Sequence, residues 1–413
     1  MKKKTNIGGP AGAVQTLEVL LQGRLVGTLA HLGKETIVFA FDRDYVESRL
    51  DRPVMSLGYK ASDGGLLEDV RPTKVRLPPF FSNLLPEAHL RDYLAARGGV
   101  HPDREFFLLW LLGADLPGAL EVRSADGEPP PRNKAAGPRT NRNQRPLRFS
   151  LAGVQLKFSA LMEARKGLTL PVDGVGGDWI VKLPSRQFES VPENEYAMMT
   201  LARAVGIDVP DVRLVETEEI GGLPENLPEA YGQSLAVKRF DRPRPGERVH
   251  IEDFAQVFNV YPEQKYKNAS FASIARVLWR EADEQAVVEY MRRLVFIAVI
   301  GNGDAHLKNW SLIYRDGRSA ALSPAYDLVS TVPYMTGDSL ALSFGGTKEF
   351  ARVDIDRVTR FAEKAGLPVR MVVKVARDTA AAIRDVAPTH EPLRALPRRI
   401  RTAIMSHITA VPL

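Results

Sequence analysis

At 413 residues, 44% hydrophobic and 26% charged, the chain is long enough for more than one domain's worth of core and has the composition of an ordinary globular protein. It contains no cysteine, which excludes disulfides, thiolate metal sites and a cysteine nucleophile, and its seven histidines include no His-x-x-x-His pair of the kind that holds structural zinc. The formal net charge of +6 fits a solvated basic surface, and no apolar run reaches the roughly 18 residues needed to span a membrane, so no membrane partner and a cytoplasmic location are expected.

The first segment, residues 1–123, reads as a β-rich subdomain with helices. Leu17 to Leu29 gives two strands around Gln22-Gly23, and Glu35 to Phe41 a third, from apolar and β-branched residues bounded by turn formers. Pro79 to Leu94 reads as helical with Pro86 near a helix start, and Phe106 to Leu112 as the apolar centre of another helix. Residues 124–148 change character: Pro129-Pro-Pro131, Gly137-Pro138 and Arg145-Pro146 break any periodicity and arginines dominate, which predicts a loop or linker.

Residues 149–245 are strand-rich, with predicted strands over Leu151 to Met162, Trp179 to Leu183 and Ser234 to Phe240. Between the last two, Pro192 to Gly206 has the marks of a helix: proline just inside the start, acids in the first turn and glycine at the end. In residues 246–413 helices dominate from Ile251 onward, including Phe271 to Trp279, Glu284 to Ile300, Asp354 to Ala365 and Pro368 to Ile383. The order predicts an α+β, bilobal kinase-like fold: the β-rich subdomain, an ATP-binding lobe and an all-helical C-terminal lobe.

The chemistry concentrates in Gly301-Asn-Gly-Asp-Ala-His-Leu-Lys-Asn309 and in Tyr326-Asp327 downstream. Asp304 and Asn309 stand at the Asp-x-x-x-x-Asn spacing of a kinase catalytic loop, with Asp327 available as a metal ligand. Gly-Asn-Gly-Asp is also a turn signature, but the buried run Leu294 to Ile300 empties directly into this polar cluster, which favours a site. Lys182 lies on an apolar strand, as does the lysine that contacts nucleotide phosphates in kinases, and Glu193 or Glu195 on the next helix could fix it; first-turn acids are equally explained by the helix dipole. The stretch around Gly153, with Lys157 close behind, could cover phosphates with backbone N–H groups, although it matches neither Gly-x-Gly-x-x-Gly nor the Walker spacing. Ser234 to Phe240 sits where a hinge between lobes would meet adenine, and reads equally as a central strand.

Seven segments in one order resemble the HipA-type serine/threonine kinases, the toxin partners of bacterial toxin-antitoxin modules: Phe80 to Pro86, Ser150 to Lys157, Ile180 to Pro184, Glu193 to Tyr196, Val237 to Asp241, Gly301 to Asn309 and Tyr326 to Ser330. The resemblance implies Asp304 as the catalytic aspartate, Asn309 and Asp327 as holders of Mg2+, and ATP as the phosphate donor. It implies a phosphate loop of Ala152, Gly153, Val154, Gln155, Leu156 and Lys157, an ATP contact from Lys182, a hinge of Lys238, Arg239 and Phe240, and a nucleotide site lined by His306, Leu307, Lys308 and Asn309 with Tyr326, Asp327, Leu328 and Val329. It further implies autophosphorylation at Ser150 as an off switch, a HipB-like helix-turn-helix antitoxin, operator DNA reached through that complex, and an aminoacyl-tRNA synthetase as protein acceptor, with growth arrest or persistence as the outcome. The chain departs from the family's wording in two places: Ala305 follows Asp304 where Asp-Arg-His is commonest, and Leu156 stands where the best-known members carry glutamate. Alternatives from other classes are a catalytically quiet scaffold that joins an antitoxin on DNA, and a small-molecule kinase.

Overall fold

A computed structural model describes residues 14–130, 157–163, 167–169, 176–185, 187–223 and 232–413. The described residues divide into two compact units: residues 14–130 with 255–262, and the remainder of the chain.

The smaller unit begins with β1 (Thr16–Leu21) and β2 (Arg24–Leu32), joined at Gln22 and Gly23. Both turn residues have positive φ, 52° and 78°, the conformation that lets a two-residue loop follow the twist of its strands. β3 (Thr36–Phe41) pairs next, followed by α1 (Arg43–Glu47) and β4 (Thr73–Lys74). The expected helix over Pro79 to Leu94 is in fact two, α2 (Pro79–Ser82) and α3 (Ala88–Gly98), because Pro86 removes a backbone donor and Glu87 after it is extended. α4 (Glu105–Leu112) is buried nearly throughout, and β5 (Leu120–Ser124) returns to pair with β1, so Ser124 belongs to the sheet and not to the linker. The antiparallel order is β4-β3-β2-β1-β5, and one core joins the inward residues of the sheet to Phe80, Phe81 and α4. Residues 131–148 of the expected linker lie outside the described residues.

The larger unit holds β6 (Lys157–Glu163), β7 (Gly167–Thr169), β8 (Trp179–Lys182), α5 (Val191–Ala204), β9 (Val212–Glu216) and β10 (Gln233–Lys238). These strands form an antiparallel sheet in the order β7-β6-β8-β10-β9, with α5 packed on β9 and β10. Residues 151–156, expected to begin β6, are outside the described residues. Ile251, expected to open a helical lobe, lies instead in β11 (His250–Asp253), which leads into α6 (Phe254–Val257). After α7 (Phe271–Glu281) and α8 (Glu284–Ile300) come β12 (Ser311–Tyr314) and β13 (Ala321–Leu322), which make a three-stranded sheet with β11. The C-terminal part is therefore mainly helical rather than all-helical. Ser311 to Tyr314 are all buried, so the segment has no alternation of buried and exposed positions to betray the strand. α9 (Ile355–Ala365), α10 (Val369–Val386), α11 (Glu391–Ala395) and α12 (Arg398–Ala410) complete the unit, with α8 packed against α7, α10 and α12. Among the described residues no helix is long and apolar enough to cross a membrane.

Candidate active site

α8 delivers the candidate catalytic loop. Its N-terminus is capped by Asp283, which accepts the Ala286 N–H at 2.7 Å, and residues 294–300 at its other end are fully buried. The helix stops at Gly301, whose φ of 72° suits glycine, and the Asn302 N–H reaches back to Ile297 O at 2.8 Å. The turn chemistry of Gly-Asn-Gly-Asp and the clustering of polar groups are thus one feature: the helix cap aims the loop.

Hydrogen bonds to the backbone then fix the loop residue by residue. Asn302 Oδ1 accepts the Asp304 N–H at 3.0 Å, and Asp304 O accepts the His306 N–H at 2.8 Å. The Asn309 N–H donates to His306 O at 2.9 Å, and Trp310 Nε1–H donates to Ala305 O at 3.3 Å. Asn302 also turns toward the second segment, its Nδ2 donating to Asp327 O at 3.4 Å. Asn302, Ala305, Asn309, Trp310, Tyr326 and Asp327 line one small cavity. Tyr326 braces it, since its hydroxyl donates to Lys308 O at 2.9 Å while its ring lies 5.7 Å from that of Phe240. Burial holds the Tyr326 phenol well above its usual pKa, so it stays a neutral donor.

Lys182, at the end of β8, is 4% exposed and pairs with both Glu195 on α5 and Asp327. Burial alone would push the ammonium toward neutrality, but the two carboxylates outweigh it and its pKa lies above the usual lysine value. Of the two acids considered on α5, Glu195 is the partner. Glu193 does not pair with the lysine, whose partners are Glu195 and Asp327; burial, with Glu189 and Glu216 nearby, raises its pKa. Asp327 itself has a φ of 55°, an uncommon conformation for a residue with a side chain.

The remaining expected residues are placed less directly. The Lys238 ammonium pairs with Asp178, and the buried Arg239 guanidinium grips Asp241 at 2.9–3.0 Å through two nitrogens, so both side chains serve the local fold. Leu307, Leu328 and Val329 are buried apolar residues of the two loops. Lys157 pairs in register with Lys182 on the neighbouring strand. Ser150 and Ala152 through Leu156 lie outside the described residues.

Two residues that the sequence reading passed over organise the site. Asn302 ties the two loops together, and Tyr266 donates a hydrogen bond to Asp304 Oδ1. Asn302 was visible within the Gly-Asn-Gly-Asp turn, whereas Tyr266 stands far from Asp304 in the chain and carried no signal.

The donor set suits magnesium: a carboxylate and an amide oxygen on one cavity are hard ligands of the kind that share this ion with substrate phosphates. Among the described residues no group of three or more His, Cys, Asp or Glu is placed to hold a metal by itself.

An antiparallel sheet carrying a lysine, a helix supplying its glutamate, and a mainly helical remainder carrying Asp304, Asn309 and Asp327 make this an α+β protein of bilobal, kinase-like architecture. Residues 17–123 match the HipA N-terminal domain and residues 149–387 the HipA-like C-terminal domain. The chain belongs to the HipA family. It is 49% identical over 404 residues to "Putative kinase Y4dM" of Sinorhizobium fredii, covering 97% of this chain and 98% of that protein. It is 25% identical over 416 residues to "Serine/threonine-protein kinase toxin HipA" of Shewanella oneidensis, covering 90% and 89%. Its fold matches a chain of the solved complex of HipA, HipB and operator DNA from Shewanella oneidensis MR-1 with a TM-score of 0.73 at 22% identity, over 95% of this chain and 96% of that one.

Proposed function

We propose that this protein is a Mg2+- and ATP-dependent serine/threonine protein kinase that acts as the toxin of a toxin-antitoxin module. The observation that carries the reading is the buried Lys182, paired with both Glu195 and Asp327, while Asp327 shares a cavity with Asn309 of the Asp304 loop. In this reading Lys182 contacts the ATP phosphates, Glu195 holds the lysine in place, and Asp304 orients the acceptor hydroxyl and takes its proton as the γ-phosphoryl group leaves ADP. Mg2+ held by Asn309 and Asp327 would neutralise phosphate charge. Backbone groups of Lys238 to Phe240 would meet the adenine, and Ala152 to Lys157 the phosphates, with His306 to Lys308 and Tyr326 to Val329 lining the nucleotide site.

The same reading takes Ser150 as an autophosphorylation site, an aminoacyl-tRNA synthetase as protein acceptor, and a HipB-like antitoxin bound to operator DNA as partner. The names of the Shewanella proteins support the toxin and antitoxin roles. The test is incubation of the protein with Mg-ATP, followed by intact-mass and peptide mapping. A gain of one phosphate at Ser150, lost in Asp304→Ala by a factor of about 100 or more in rate, is the expected result. Nucleotide binding without transfer to any protein would leave a scaffold instead.

A further inference from the structure

The proposed chemistry asks Asp304 to present a carboxylate oxygen in a set direction. Its backbone is already pinned, by Asn302 on one side and His306 on the other, so what remains to be fixed is the side-chain torsion. Tyr266 supplies that restraint by donating its hydroxyl to Asp304 Oδ1.

The tyrosine is itself registered to the loop. Lys265 O accepts the Leu307 N–H at 3.2 Å, which couples the segment to the loop's backbone. The Tyr266 and His306 rings meet edge to face, their centres 5.0 Å apart at an interplanar angle of 82°, and the Lys265 ammonium lies 5.7 Å from the tyrosine ring centre. Tyr290 and Tyr45 end on the backbone carbonyls of Phe271, at 2.9 Å, and Pro53, at 2.6 Å. Tyr266 instead donates its hydroxyl hydrogen bond to the Asp304 carboxylate, which the proposed chemistry places at the reacting centre.

We propose that Tyr266 is a positioning residue for phosphoryl transfer: it fixes the Asp304 carboxylate through one oxygen so that the other addresses the acceptor hydroxyl. The inference rests on Asp304 acting as the base. Tyr266→Phe removes the hydroxyl and keeps the ring against His306, so nucleotide binding and folding should stand while the chemical step suffers.

The test measures transfer of γ-phosphate from labelled Mg-ATP to the chain itself and to water, over a range of ATP concentrations, for the parent, Tyr266→Phe and Asp304→Asn. Tyr266→Phe should lower kcat about 10- to 100-fold, leave half-saturation by ATP within about twofold, and keep the parent's thermal midpoint to within a few degrees. If Asp304→Asn transfers phosphate at the parent rate, the role of Asp304 fails and this inference with it. If Asp304→Asn is inert but Tyr266→Phe matches the parent kcat, only the tyrosine's role fails. A Tyr266→Phe protein that loses ATP affinity in step with its rate, or loses cooperative unfolding, overturns the inference too by assigning the tyrosine to the fold.

Discussion

Asn194 grips both sides of Ser330: its Nδ2 donates to Ser330 O at 2.9 Å, and its Oδ1 accepts the Ser330 N–H at 3.2 Å. The asparagine is fully buried on α5, one residue before Glu195, and Ser330 lies three residues beyond Asp327. The helix that supplies the lysine's glutamate is thereby bonded to the loop that supplies its aspartate. Asn194→Ala strands a buried N–H and C=O, and should cost about 2–4 kcal/mol in urea unfolding. Phosphate transfer should fall with it, because both carboxylates at Lys182 lose their common brace. Parent-like stability would show that the peptide finds other partners.

Lys182→Met should harm the fold as well as the chemistry. Its ammonium is the cation between Glu195, 3% exposed, and Asp327, and removing it leaves two carboxylates facing one another. Breaking a buried pair from one side costs about 3–5 kcal/mol, so a fall of that size in unfolding free energy is expected alongside loss of phosphate transfer. A fully stable but inactive variant would show that water or a small cation takes the ammonium's place.

Stability should decline below neutral pH through His407. Burial lowers the pKa of this imidazole from 6.5, against the opposing pull of its bond to Ala298 O and of Asp338. The unfolded chain therefore takes up the proton first, so the contribution is complete above pH 6.5 and is lost as pH falls through the folded-state value. His390, half-buried near Thr200, shifts in the same direction from burial. Urea midpoints at pH 7.5 and pH 5 should differ less in His407→Gln than in the parent. Equal differences would assign the acid sensitivity elsewhere.

A methyl group at Gly303 has no room. A Cβ built there would sit 2.3–2.6 Å from the Asp338 carboxylate, which bonds Thr331, and Thr331 Oγ1 in turn accepts the Gly303 N–H at 2.7 Å. Gly303→Ala should slow transfer at the adjoining Asp304 by about 10-fold or more, since small misplacements of a reacting group are costly. Asp338→Ala should relieve part of that loss, so the double variant should be faster than the product of the two single effects predicts. Simple multiplication of the two effects would mean that the clash is absorbed elsewhere.

The elements most legible in the sequence were those with local signals. The Gln22-Gly23 hairpin, α5 with its Pro192, and α8 ending at Gly301 each carry their own turn or capping chemistry, and the structure has them within a few residues of their expected limits. The β11–β12–β13 sheet was not legible because its strands are short, because β11 is far from β12 in sequence, and because β12 is buried on both faces. At the site, spacing pointed to Asp304, Asn309 and Asp327. The choice of Glu195 over Glu193 depended on which face of α5 turns toward β8, a tertiary fact. Tyr266 was invisible for the same reason, since nothing local distinguishes it from another loop tyrosine.

The smaller unit is completed by residues 255–262, a segment that arrives long after the rest of it. Asn83 Nδ2 donates to Val260 O at 2.8 Å, Gln256 Nε2 donates to Phe80 O at 3.1 Å, and the Arg76 guanidinium lies 3.9 Å over the Tyr261 ring. On the ribosome, the N-terminal stretch therefore emerges without these contacts and must wait for more than a hundred further residues before they can form. A fragment cut after the first sheet carries the same gap, so adding the 255–262 peptide back should restore more of its structure than adding a scrambled peptide.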